Sequence, residues 1–197
     1  MAGGAPDLGE DGLDLQFDSI AAMKAGAWLK WRKDVGPVVF EPREHNFNAI
    51  DDLPALRCIP DFGITLLPTG QLGVVESKYS PDSLDPEEEA RLKLEQRHFE
   101  RIGFSWELVF RSKLEESGFI DTVMLLGMYE ELVFPERRIK GALALLTPHP
   151  QTDLPGWRMR ARQAGIPIGL LYQLLYRQQL PLTYRRLLPI ELRPWLA

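Results

Sequence analysis

At 197 residues, 45% of them hydrophobic, the chain is long enough to bury a proper core as one domain with an appendage or as two small domains. Its net charge of −5 argues against a protein that holds nucleic acid alone by long-range attraction, and its single cysteine, Cys58, excludes a disulfide scaffold or a thiolate metal cluster. No apolar run reaches the length of a membrane span, and residues 1–4 lack the basic and apolar parts of a signal peptide, so a cytoplasmic protein with no membrane partner is expected.

Residues 1–14 are rich in Gly and Asp and predict a disordered tail. Residues 17–31 predict a helix capped by Asp18 or Ser19, with Ile20, Met23, Ala27 and Trp31 on one apolar face. Gly36-Pro37 ends that element, and Val38-Val39-Phe40 predicts a first strand. Residues 41–54 mix turn formers with Phe47 and Ile50 and predict a loop or an extended segment.

Residues 57–67 and 72–79 are rich in Ile, Val, Leu, Phe and Thr and predict two strands, with Pro68-Thr69-Gly70 turning between them as an antiparallel hairpin. Alternation along the second strand puts Glu76 and Lys78 on one face and Ser77 on the other, where it needs no catalytic role. With Asp61 opposite them, two carboxylates can share a hard divalent cation while the lysine stands over a phosphate or an attacking water. The same letters also fit a surface hairpin whose Glu76 and Lys78 form a solvated ion pair. Val74-Val75 directly before Glu76 favours the first reading, because a buried strand then delivers charges that need compensation.

After a loop over residues 80–86, Asp85 and Pro86 open a helix running to about Ile102, with Ala90, Leu92, Phe99 and Ile102 as apolar contacts and Glu87, Glu88 and Glu89 at its positive end. Residues 104–110 alternate like a further strand. Helices are expected over residues 120–134, 139–146 and 169–178, with a proline-rich hinge over residues 147–156. The order of elements predicts an α/β fold, a mixed sheet with helices packed across it. Residues 158–197 carry Arg158, Arg160, Arg162, Arg177, Arg185, Arg186 and Arg193 against Glu191 alone, which makes the C-terminal region the expected DNA- or partner-binding part. His45, His98 and His149 are scattered and disfavour zinc. His98 reads as a surface histidine or a phosphate contact, His45 as a residue at the site's mouth, and Cys58 as core filling.

Pro60-Asp61 followed by Glu76-Ser77-Lys78 matches the motif of the PD-(D/E)XK nucleases. The wider run Ile59-Pro60-Asp61-Phe62, Gly70, Val75-Glu76-Ser77-Lys78, a charged helix, then Gly103-Phe104 and a strand resembles the TnsA endonuclease subunit of heteromeric transposases. Val39-Phe40-Glu41-Pro42 is similar to a strand of that family with its spacing one residue short, and Phe17-Asp18-Ser19 falls where the family has an aromatic-Glu-Ser helix start. The resemblance implies a restriction-endonuclease-like core over residues 15–112 and a small, mainly helical, winged-helix-like region over residues 113–197. It implies Mg²⁺-dependent hydrolysis, with Mn²⁺ able to substitute, at the 5′ ends of a transposon. The implied partners are DNA, a DDE-type transposase (TnsB-like) and an AAA+ ATPase regulator (TnsC-like).

Carried over by residue, the resemblance makes Asp61 and Glu76 the metal-binding acids and Lys78 the motif lysine. Asp18 stands in the place of the helix glutamate, one methylene shorter, and Ala22 stands where a second helix acid would be. Asp18 serves equally as a helix cap, and Glu41 and Glu44 are other candidates for the third acid. Two further readings are a stand-alone nuclease of the restriction or junction-resolving type and a catalytically degenerate subunit that only binds DNA or transposase.

Overall fold

The two helices that flank the sheet begin where short polar side chains meet free backbone N–H groups. Ser19 caps α1 (Ile20–Trp31) by accepting the Ala22 N–H at 3.0 Å, and Asp85 caps α2 (Pro86–Arg101) by accepting the Glu88 N–H at 2.7 Å. Pro86 takes the first turn of α2, where its missing N–H costs nothing. The computed structural model describes residues 19–50, 53–116, 118–149 and 152–182; the expected tail, Asp18, Arg185, Arg186 and Arg193 lie outside them.

Strands β1 (Val35–Phe40), β4 (Phe62–Leu66), β5 (Gln71–Lys78) and β6 (Ser105–Phe110) form one sheet in the order β1-β4-β5-β6, and β2 (His45–Phe47) pairs with β3 (Leu56–Cys58) in a second. β4 and β5 make the expected antiparallel hairpin, with Gly70 at a φ of 73° in the turn. β5 and β6 are parallel, which requires a crossover connection, and α2 is that crossover. The fold is therefore mixed α/β, with a mixed sheet and several helices.

Two strand expectations change. Residues 57–67 do not form one strand: the chain leaves the small sheet after Cys58 and enters the large one at Phe62. Pro60 between them has no N–H for a ladder. Conversely, Gly36-Pro37 does not precede the first strand but lies inside β1, where the register shifts between Val35 and Val38. β1 is an edge strand, where proline is tolerated.

Beyond the sheet come α3 (Arg111–Glu115), α4 (Phe119–Gly127), α5 (Glu136–Leu146), α6 (Leu154–Gln163) and α7 (Ile168–Tyr176). α6 starts inside the expected hinge because Asp153 accepts the Gly156 N–H at 2.9 Å. One hydrophobic cluster joins Trp28 and Leu29 of α1, Phe62, Ile64 and Val75 of the sheet, and Phe119, Val123, Trp157, Leu171 and Leu174 of the later helices. A second gathers Cys58, Val74, Leu92, Phe99, Trp106, Leu108 and Phe110 on the α2 side.

The buried face of α1 also differs from expectation, being Ala22, Ala25, Gly26, Trp28 and Leu29, with Ile20 54% exposed. This helix is apolar around most of its circumference, so spacing alone does not select a face. Its small residues allow a close approach, and its largest ones fill the core. Among the described residues no helix is long and apolar enough to cross a membrane.

Candidate active site

Alternation along β5 decides which side of the sheet each motif residue serves. Val74 belongs to the cluster under α2 and Val75 to the cluster under α1, so Glu76 and Lys78 follow Val74 toward α2, and Ser77 follows Val75. Glu76 is buried, 4% exposed, and the motif is not a solvated hairpin surface. Lys78 Nζ lies 3.8 Å from Glu76 Oε2 and 3.2 Å from Glu88 Oε1 of α2. The lysine thus bridges the strand and the first turn of the crossover helix, and Glu88 has a role beyond the helix start expected of it.

The neighbour of Glu76 is Glu95, which is fully buried. Burial pushes the Glu76 carboxyl up to about 9, and repulsion from Glu95 and Asp61 adds to it, while Lys78 opposes the shift. Burial raises Glu95 as well, against the pull of Glu76 hydrogen bonding, Arg91 and Lys78. The two carboxyls touch and titrate as a pair, and a proton on one makes a hydrogen bond to the other. Glu95 Oε2 accepts from Arg91 Nη1 at 3.0 Å, whereas Glu95 Oε1 is buried with no donor once both carboxyls are ionised.

Asp61 stands one residue ahead of β4. Its Oδ2 accepts from the Ser77 N–H at 2.7 Å and from the Ser77 hydroxyl at 2.6 Å. This corrects the view of Ser77 as a residue facing away without a role: its hydroxyl and its backbone N–H together orient the aspartate. The Asp61 backbone is held too, since its carbonyl accepts the Glu41 N–H at 2.9 Å. Glu41 takes a left-handed φ of 41° to make that bond, a conformation costing about 1–3 kcal/mol that is concentrated at functional sites.

Glu95, Arg91 and Glu88 were not legible as site residues from the motif, yet a signal existed. Leu92, Glu95 and Phe99 recur at spacings of three and four, so Glu95 occupies the apolar stripe of α2 where a leucine would be ordinary. Ala90 and Ile102, expected as apolar contacts, are exposed instead.

The remaining candidates fall elsewhere. Glu44 is bonded to Arg57, which holds its carboxyl below the usual range. His98 is neither on the surface nor near phosphate; it is buried, stacked on Phe47 at 4.7 Å, and its Nε2 donates to the Pro54 carbonyl at 2.8 Å. His45 packs edge-on against Phe99, and burial together with Arg43 lowers its basicity. His149 is exposed, four residues before Asp153, the N-cap of α6. Arg158, Arg160 and Arg162 lie on α6, with Arg158 bonded to the Tyr172 hydroxyl and Arg160 over the Trp157 ring.

The donor set suits a hard divalent cation. Asp61, Glu76 and Glu95 offer oxygen only, in excess over the nearby positive charge, and one buried oxygen lacks a donor. Cys58, near the same carboxylates, is buried and its thiol is pushed up to about 12, so it adds no thiolate. Among the described residues, however, no three His, Cys, Asp or Glu side chains form a ready cage for an ion. No protein-family model matches the sequence, and no curated protein matches it.

Proposed function

We propose that this chain is a metal-dependent DNA endonuclease with a restriction-endonuclease-like core, acting as the TnsA-like subunit of a heteromeric transposase. The observation that carries the reading is a buried Glu76 that lies 3.8 Å from Lys78 and is repelled by the carboxyls of Glu95 and of Asp61, where β5 ends and β4 begins. A structural ion pair does not require that crowding, because replacing a buried charge by an apolar side chain often stabilises a protein.

Mg²⁺, when bound by Asp61 and Glu76, would supply Lewis-acid stabilisation of the phosphate charge and a more acidic water. Ser77 and the Glu41 N–H keep Asp61 in place. Lys78, drawn by Glu76 and Glu88, holds a compact positive charge where a phosphate oxygen or the attacking water would lie. The acidic chain depends on partners for its grip on DNA, namely a DDE-type transposase and an AAA+ regulator, and it works in the cytoplasm.

The absence of a ready three-acid cage among the described residues favours a second reading, a degenerate subunit that binds without cutting. The two separate when the purified chain is incubated with Mg²⁺, transposon-end DNA and the partner transposase. Nicking at the 5′ ends that disappears in Asp61→Ala and Lys78→Ala, with both variants folded, is the expected result. Assembly without any nicking by the wild type would refute the enzyme and leave the binding subunit.

A further inference from the structure

The motif strand is not the only element that brings an acid to this place. We infer that Glu95 of α2 is a third carboxylate ligand of the cation site, so that the crossover helix supplies the acid that the resemblance puts at the start of α1. The inference rests on the nuclease reading and assigns a residue that the motif does not contain.

Three observations carry it. Glu95 is fully buried on the stripe shared with Leu92 and Phe99, so its charge occupies a position that packing alone would give to a hydrocarbon. Its Oε2 is held by Arg91, which fixes the side chain, while Oε1 is buried without a donor. That oxygen belongs to a carboxyl touching the carboxyl of Glu76, the acid already assigned to the cation. A buried carboxylate oxygen with no donor is an expensive arrangement unless a cation satisfies it. Oxygen-only coordination selects Mg²⁺ or Mn²⁺ over softer metals.

Mn²⁺ alone is the probe, with free ion followed by electron paramagnetic resonance on the full chain. Glu95→Gln keeps the size of the side chain and a hydrogen bond to Glu76 but removes the charge. Wild type is expected to bind Mn²⁺, and Glu95→Gln to bind it at least roughly tenfold more weakly while melting no lower than wild type. Wild-type protein labelled with ¹³C at glutamate carboxyls gives a second readout that needs no variant: the Glu95 resonance should broaden with that of Glu76 as Mn²⁺ is added. If Glu76→Gln abolishes binding while Glu95→Gln binds as wild type does, or if the Glu95 resonance stays sharp as that of Glu76 broadens, the assignment is overturned and the nuclease reading survives. If wild type binds no Mn²⁺, both fall together.

Discussion

Replacing Glu76 with glutamine should change how the stability of the metal-free chain depends on pH. The carboxyl moves from an ordinary 4.5 to about 9 in the folded chain, so between those values the folded state holds a proton that the unfolded state releases. Its contribution to stability is fully present below pH 4.5 and is lost as pH rises toward 9. For one proton the slope is at most about 1.4 kcal/mol per pH unit, which gives about 2.7 kcal/mol between pH 6 and pH 8. For a chain of this size that corresponds to roughly 5–11 °C in Tm. Glu76→Gln cannot lose this proton, and Glu95, freed of a charged neighbour and still bonded to Arg91, ionises more easily beside it. Melting curves by circular dichroism in EDTA at pH 6, 7 and 8 provide the measurement. The variant should fall less steeply than wild type and overtake it at pH 8, and parallel lines for the two proteins would refute the account of a buried, mutually repelling pair.

Two further substitutions probe the frame around the site. Ser77→Ala removes the hydroxyl that donates to Asp61 and leaves the backbone N–H in place, so urea unfolding should show a loss of about 1.5–3 kcal/mol, as for a hydrogen bond to a charged group. Its nicking of transposon ends should be slower than wild type but not absent. Trp157→Ala empties a fully buried position in the cluster that joins α1 to the later helices and removes the bond from its ring N–H to the Pro181 carbonyl, so about 3–5 kcal/mol should be lost in the same assay.

Much of the sheet was readable because its signals are local. Pro68-Thr69-Gly70 between two β-rich runs leaves little besides a hairpin, and Asp85-Pro86 before three glutamates marks a helix start with each residue in its preferred position. The errors arose where a tertiary partner decides. Pro60 splits a continuous β-rich run because the chain changes sheets there, and nothing within residues 57–67 says that a second sheet exists. Gly36-Pro37 reads as a stop and is instead a tolerated irregularity, since only the topology reveals that β1 is an edge. The face of α1 was ambiguous because alanine and glycine accept burial as readily as exposure. For the site, the motif gave Glu76 and Lys78 a common side, as alternation requires. The role of Ser77 is not legible from alternation because Asp61, one residue ahead of β4, accepts from its backbone N–H as well as from its hydroxyl. Glu95 lies outside the motif, and its only signal in the sequence is a charge between Leu92 and Phe99 on the apolar stripe of a helix.

The proline in β1 has a consequence for how molecules of this protein meet one another. A sheet margin with an intact row of amide donors invites a strand from a neighbouring copy, and such pairing is how many sheets stack into aggregates. Here residue 37 brings no donor, and the register of β1 shifts between Val35 and Val38. A strand added beyond β1 would find one fewer donor in the row, which disfavours growth of the sheet past that margin.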